Sequence, residues 1–106
     1  MPKNPPHLWH FRLETSAHDT VRAMQSGHRR RFFEHLRQLL NADAPFECDF
    51  VESLAGQQYK DIRKFRIGDY RVLFALDTRP FTHLKHSYKG IVVILVVDWR
   101  KDVYRP

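Results

Sequence analysis

Apolar and polar residues alternate over residues 7–14, HLWHFRLE. Trp9, Phe11 and Leu13 fall on one side of this segment and polar side chains fall on the other, which is the period of a half-buried strand. We therefore predict a first strand from His7 to Glu14.

The apolar spacing changes to that of a helix after this segment. Ser16 can cap a short first helix, in which Val21 and Met24 follow at helical spacing. A Ser-Gly pair at 26–27 interrupts the pattern, and a second helix with a broad apolar stripe then ends near Asn41. The stripe consists of Phe32, Phe33, Leu36, Leu39 and Leu40.

The second half of the chain has the pattern of three further strands. Two of them, Lys60–Ile67 and Tyr70–Asp77, are separated by Gly68-Asp69, which suits a two-residue type II′ turn. Residues 78–89 are predicted to form a longer polar loop. The last strand is apolar on both faces over Ile91–Val97 and therefore belongs inside the sheet.

These elements predict an α+β fold in the order strand, helix, helix, strand, strand, strand. We expect a mostly antiparallel four-stranded sheet with the two N-terminal helices on one face. Residues 1–6 hold three prolines and are expected to be a disordered lead-in, while residues 7–106 are expected to form a single domain. Residues 44–56 have no pattern that assigns them. The aromatic residues expected in the core are Trp9, Phe11, Phe32 and Phe33.

The composition adds a strong positive charge to this picture. The 106 residues include 18 Lys and Arg against 12 Asp and Glu, a net charge of +6, which favours nucleic acid or an acidic protein as a partner. The single cysteine, Cys48, excludes an intramolecular disulfide. Because no apolar segment has the length of a signal peptide or membrane span, we expect a cytoplasmic protein without membrane association.

Part of this charge is concentrated in the hairpin KFRIGDYRVLF, residues 64–74. Counting outward from its turn places Arg66 opposite Arg71, with Lys64 on the same face. Like charges opposite each other disfavour pairing, by an amount on the order of 0.2–1 kcal/mol. No carboxylate within these strands neutralises the three cations.

The end of the last strand should return beside this turn. Arg100 would then join the cations, Tyr104 would lie over the same face, and Asp98 would offset only part of the charge. We expect such a cluster to bind an anion such as a phosphodiester. The alternative is that the side chains extend into solvent and bind nothing.

Other candidate sites have simpler interpretations. His83 and His86 have a spacing that could hold a metal, but no cysteine or carboxylate cluster completes a site, so we expect no metal and no cofactor. Arg29, Arg30 and Arg31 could contact RNA phosphates or form the solvated start of a helix.

Two segments resemble the RelE/ParE superfamily of bacterial type II toxins of toxin–antitoxin systems. They are LAGQQYKDIRKFRIGDYRVLFALD, residues 54–77, and VVILVVDWRKDVYR, residues 92–105. The family pattern has L-x-G, then R-x-G-D-Y-R-V, then an apolar strand and an ending that contains Arg and Tyr. The order of elements also agrees, so the resemblance covers nearly all of the chain after Pro6.

For the RelE-like members, the resemblance implies a ribosome-dependent, metal-independent mRNA endoribonuclease that blocks translation. By position, Arg71 and Arg100 match the arginines that bind phosphate and stabilise the transition state. Lys64 matches a lysine assigned to proton transfer or charge stabilisation, and Tyr104 matches a tyrosine that orients the substrate. Asp98-Trp99 stands where many relatives have Gly-His, which leaves the proton chemistry to Lys64 and Tyr104.

Further basic and aromatic residues are expected to add RNA contacts. They are Lys60, Arg63, Arg66, Trp99 and Lys101. Trp99 could instead pack beneath the C-terminal segment, since aromatic side chains either stack on RNA bases or fill protein interiors.

The implied partners are a cognate antitoxin, acidic and partly disordered until bound, and mRNA on the ribosome. Two alternatives remain open at this point. A ParE-like toxin would share the fold but inhibit DNA gyrase without nuclease chemistry. A basic RNA-binding module without catalysis would follow from the charge alone.

Overall fold

The computed structural model describes residues 7–99. The expected lead-in, and the predicted site residues Arg100, Lys101 and Tyr104, lie outside the described residues. Two α-helices and seven strands follow one another in the described part. They are β1 (His10–Leu13), α1 (Thr15–Ala23), α2 (Ser26–Asn41), β2 (Glu52–Ser53), β3 (Ile62–Ile67), β4 (Tyr70–Asp77), β5 (Phe81–His83), β6 (His86–Tyr88) and β7 (Ile91–Trp99).

Five of these strands form a mixed sheet in the order β1-β7-β4-β3-β2. Only β1 and β7 run parallel among the described strand pairs of this sheet, and the other pairs are antiparallel. The predicted α+β class is therefore confirmed, and so is the interior position of β7. The predicted strand count of four is wrong, because the two-residue strand β2 extends the sheet beside β3. So short and exposed a strand has no sequence period by which it could be recognised.

Both helices bury their apolar stripes against one face of this sheet. Val21 of α1 and Phe32 of α2 belong to the same buried cluster as alternate residues of β3, β4 and β7. The sheet residues of this cluster are Phe65, Ile67, Val72, Phe74, Val92, Ile94 and Val97. The opposite face of β3 and β4 therefore carries the residues between these positions.

Two of the four aromatic residues expected in the core are not buried. Trp9 and Phe32 are 5% and 0% exposed, whereas Phe11 and Phe33 are 38% and 44% exposed. Phe33 follows Phe32 on α2, and one residue rotates a side chain by about 100° around a helix, so only one of the pair can face the sheet. Phe11 lies on β1, the edge strand, where the helices leave its ring partly open.

The predicted polar loop at 78–89 contains a second, two-stranded sheet formed by β5 and β6. Its turn residues, Leu84 and Lys85, have φ values of 49° and 68°. Gly and Asn usually supply such left-handed conformations, so no residue type at this turn marks it in the sequence. The hairpin packs on β1 through aromatic rings, with the His10 ring 5.4 Å from His83 and 5.2 Å from Tyr88 between centroids.

The approach to this hairpin is closely packed. A Cβ atom on Gly90 would overlap the carbonyl oxygen of Asp77, which accounts for glycine at that position. Asp77 also accepts hydrogen bonds from the Arg79 side chain at 3.0 and 2.7 Å. These bonds lower the pKa of the Asp77 carboxyl to about 2, so Arg79 is committed to an ion pair. No helix within residues 7–99 is long and apolar enough to cross a membrane.

Candidate nucleic-acid interface

The predicted register of the β3–β4 hairpin is confirmed. Arg66 lies opposite Arg71, and Lys64 lies opposite Leu73. Gly68 has φ 58°, as the predicted turn requires. The three cations therefore share the sheet face that the helices leave open, which we name the cationic face and define by Lys64, Arg66 and Arg71.

A carboxylate that the sequence pattern does not predict lies at the edge of the cationic face. Glu52 of β2 pairs with Lys64 across the strands, and its Oε1 lies 3.8 Å from Lys64 Nζ and 3.9 Å from Arg66 Nε. These distances give charge attraction without a close hydrogen bond. The sequence predicts that only Asp98 offsets part of this charge, so Glu52 adds an unpredicted carboxylate from the neighbouring strand β2.

Asp98 provides a second carboxylate on this face. It lies directly opposite Arg71 in the pairing of β4 with β7. Three cations and two carboxylates leave one positive charge in excess among the described residues of the face. The expected cluster of Arg66 and Arg71 on one face is present, but its positive field is weaker than the strand pattern alone suggests.

Exposure differs strongly between the members of the cationic face. The Lys64 side chain is only 16% exposed, whereas that of Arg66 is 61% exposed. Lys64 is therefore held in a defined position beside Glu52, while most of the Arg66 side chain is accessible to a ligand. Leu73 and Val96 complete the row that begins at Lys64 and give this part of the face an apolar surface.

Trp99 lies at the end of β7 on the helix side of the sheet. It is 55% exposed and lies opposite Tyr70, with 5.7 Å between the ring centroids. Tyr70 in turn contacts His28 of α2 at 5.6 Å between centroids. Trp99 therefore packs on Tyr70 through one part of its ring and leaves the other part accessible.

His28 is a second residue near the turn of the β3–β4 hairpin that the sequence pattern does not predict. Its Nε2 lies 2.7 Å from the position that a Cβ on Gly68 would occupy, so the ring packs directly on the hairpin turn. Nothing in the local sequence links the start of a helix to a turn 40 residues later. His28 supports the turn that places Arg66 opposite Arg71.

Arg63 lies on the other side of β3 from the cationic face, and Lys60 precedes that strand. Lys60 is exposed and follows a short 3₁₀ helix, Gln57–Tyr59. Arg63 alternates with Lys64 on β3 and so points to the helix side, where its guanidinium lies 4.4 Å from the centre of the Phe46 ring. Its Nη1 also donates a hydrogen bond of 2.6 Å to the carbonyl of Lys60. Arg63 thus stabilises the start of β3.

The remaining candidates are placed as follows. Arg29 Nη1 donates hydrogen bonds to the carbonyl oxygens of Arg22 and Met24 at 3.0 and 3.4 Å, which ties the start of α2 to the end of α1. His83 and His86 face each other in the β5–β6 hairpin. Within residues 7–99, no group of three or more His, Cys, Asp or Glu side chains is placed to hold a metal ion.

Comparison with known proteins places this arrangement in a recognised fold. The archaeal RelE–RelB complex from Pyrococcus horikoshii OT3 contains a chain similar to this one, with a TM-score of 0.65 and 21% identity, over 91% of this chain and 99% of that one. The RelBE2 toxin–antitoxin complex of Mycobacterium tuberculosis gives a TM-score of 0.63 and 21% identity, over 94% and 100% of the two chains.

A third similar structure is the RelB–RelE antitoxin–toxin complex of Methanococcus jannaschii, with a TM-score of 0.58 and 14% identity, over 87% of this chain and 93% of that one. No family model and no curated protein matches the sequence. The similarity is therefore one of structure, and it extends over almost the whole chain. The chain has the fold of the RelE toxins.

Proposed function

We propose that this chain is the toxin of a toxin–antitoxin system, and that it is a ribosome-dependent, metal-independent endoribonuclease that cuts mRNA. The observation that supports the proposal most is the cationic face, which gathers Lys64, Arg66 and Arg71 on the open side of a RelE fold. A fold alone does not define an activity, so the proposed activity depends on these side chains.

The proposed reaction is attack by the 2′-hydroxyl of one nucleotide on the adjacent phosphorus. A bond forms between the 2′-oxygen and phosphorus, the bond to the 5′-oxygen of the next nucleotide breaks, and a cyclic phosphate remains. The 2′-hydroxyl loses a proton and the leaving oxygen gains one. Negative charge therefore accumulates on the phosphoryl oxygens as the pentavalent transition state forms.

Arg71 and Lys64 are suited to different parts of this reaction. The planar guanidinium of Arg71 can donate two hydrogen bonds to phosphoryl oxygens, which stabilises the transition state more than the ground state. The largely buried Lys64 is held in place and offers a compact positive charge beside it. We assign Arg100 and Tyr104 the roles that the family resemblance implies, a second phosphate contact and orientation of the substrate.

A partner antitoxin belongs to the same proposal. The similar chains are found in complexes of a RelE with a RelB. The net charge of +6 makes an acidic antitoxin the electrostatically favoured partner.

The proposal is tested by brief expression of the chain in a bacterial host, followed by mapping of transcript ends. We expect growth arrest and new ends within translated regions. In a purified system, the same mRNA should be cut when ribosomes are present and remain intact when they are omitted. Intact transcripts together with inhibited DNA supercoiling would contradict the proposal and support the ParE-like alternative.

The ion pairs of Glu52 are expected to weaken the binding of RNA to the cationic face. Replacing it with glutamine removes the carboxylate that Lys64 and Arg66 share, so these cations become more available to phosphates. We expect tighter binding of single-stranded RNA, with a log–log salt dependence steeper by about 0.7 for each additional phosphate contact. Fluorescence anisotropy at several salt concentrations measures both quantities.

Glu14→Gln is the matched control for this variant. It makes the same change in net charge and also removes a carboxylate from an arginine. Glu14 lies 3.7 Å from Arg12, which is on β1 at the opposite edge of the sheet from β2. We expect its salt dependence to equal that of the unmodified chain. Equal slopes for Glu52→Gln and Glu14→Gln would mean that RNA does not bind at the cationic face.

A further inference from the structure

A groove with an apolar floor opens at the β1 edge of the sheet, on the side where the helices lie. It has a volume of about 370 Å³, and its floor is formed by Phe11 and Leu13 of β1, Val21 of α1 and Phe33 of α2. We name it the Phe11/Phe33 groove. It lies on the other side of the sheet from the cationic face, since β-sheet side chains alternate between faces.

The exposure of its two aromatic rings needs an explanation. Phe11 and Phe33 are 38% and 44% exposed, although side chains of this size contribute most when buried. Both rings border the same cavity, so their exposed parts form one surface rather than two isolated positions. Adjacent exposed apolar side chains of this kind are characteristic of surfaces that bind another molecule.

The rim of the groove is positively charged. Arg22 and Arg29 line it, and no carboxylate does so among the residues 7–99 that the structure describes. Arg29 is fixed in place by its hydrogen bond to the carbonyl oxygen of Arg22, at 3.0 Å. His18, which also lines the groove, lies 3.9 Å from the Asp19 carboxylate. A complementary ligand therefore combines large apolar side chains with negative charge.

The ligand of the groove is more suitably a helix than a strand added to the edge of β1. The N–H groups of His10 and Glu14 are bonded to carbonyl oxygens on the β7 side, so the groups of Phe11 face outward. However, the Phe11 N–H donates to the ring nitrogen of its own neighbour, His10, at 2.8 Å. With this donor occupied and β1 only four residues long, strand addition would gain few hydrogen bonds.

We propose that the Phe11/Phe33 groove binds an acidic amphipathic helix of the antitoxin, an inference that rests on the toxin role proposed above. The helix places apolar side chains against Phe11 and Phe33 and carboxylates against Arg22 and Arg29. The antitoxin is thereby attached on the face that the cationic cluster does not use. Substitutions in the groove therefore remove neutralisation and leave RNA cleavage intact.

The test uses the full chain and a displayed library of amphipathic helices of about 20 residues, long enough to be helical in water. The apolar face of the library is fixed as leucine and the remaining positions vary freely in charge. We expect the selected helices to be rich in Glu and Asp and to present their anchors at i, i+3 or i+4, and i+7. Their affinity should fall at least about tenfold for Phe33→Asp, the equivalent of losing one good hydrophobic contact.

Two further variants make the result specific. Arg22→Glu should weaken the same helices by reversing charge at the rim, without touching the apolar floor. Leu84→Asp, at an exposed hairpin position with 78% exposure, is the charge-matched control for Phe33→Asp and should leave binding unchanged. Thermal unfolding of all variants confirms that each remains folded.

Three results would overturn the proposal. They are selected helices that are neutral or basic, equal affinity for the unmodified chain and Phe33→Asp, and a dimer of the unmodified chain that Phe33→Asp converts to a monomer. The last would assign the groove to a second copy of the chain.

Growth arrest separates this inference from the proposed function. Phe33→Asp should still arrest growth, because the groove lies on the other side of the sheet from the cationic face, but it should no longer bind the selected helices. Groove binding by a chain that never arrests growth would overturn the toxin role and the antitoxin assignment together. Growth arrest without acidic helices in the groove would overturn the groove inference alone.

Discussion

Replacing Arg71 with alanine should lower the rate of mRNA cleavage by about 10²–10³-fold, the usual effect of removing one donor that stabilises a developing oxyanion. Arg71 lies on β4 between Arg66 and Asp98, so its position is fixed by two neighbouring strands. The expected loss is in the rate of the chemical step, with a smaller loss in RNA affinity. Single-turnover cleavage on purified ribosomes separates the two quantities.

The control variants for Arg71 test geometry and charge in turn. Arg71→Lys keeps the charge but loses the planar guanidinium, so we expect it to recover RNA affinity more fully than cleavage. Arg79→Ala makes the same substitution at an exposed arginine paired with Asp77, and it should cleave at the unmodified rate. Cleavage by a folded Arg71→Ala at the unmodified rate would remove Arg71 from the proposed reaction.

The parts of the fold that were predictable from the sequence are those that local rules determine. A two-residue turn at Gly68-Asp69 fixes every pairing in its hairpin, so the register of Arg66 with Arg71 follows directly. The apolar character of β7 on both faces places it between other strands for an equally direct reason.

The parts that were not predictable depend on contacts between distant residues. Glu52 lies beside Lys64 only because a two-residue strand pairs with β3, and no sequence pattern marks so short an element. The turn at Leu84 and Lys85 uses left-handed conformations without glycine or asparagine. The charge balance of the cationic face could therefore not be derived from strand alternation.

The stripe on α2 shows the limit of periodicity in another way. Phe32 and Phe33 both fit a broad apolar stripe, but the sheet covers only one of them. The sequence pattern cannot distinguish a buried ring from one that forms a groove, since both are apolar at helical spacing. A buried ring and an exposed ring differ in how much their removal lowers the free energy of unfolding.

Phe65→Ala should lower the free energy of unfolding by about 3–5 kcal/mol, the usual cost of removing a fully buried aromatic ring. Phe65 is fully buried, and its ring centroid lies 5.4 Å from that of Phe50 and 5.9 Å from that of Phe74. It also stacks on His35 of α2 at 5.5 Å, so it joins the helix to the strand that carries Lys64. Because small domains are stable by only about 5–15 kcal/mol, this loss should reduce activity through unfolding.

Phe33→Ala is the matched control, since it removes the same ring from a half-exposed position and should cost less than about 1 kcal/mol. Urea unfolding measures both variants, and a shift of the midpoint at constant slope identifies a change in stability. Equal losses for the two variants would mean that Phe33 is buried in solution by a contact within the chain, which would leave no open groove. A large loss for Phe65→Ala alone would mean that the protein tolerates exposure of the Phe33 ring, as a binding surface requires.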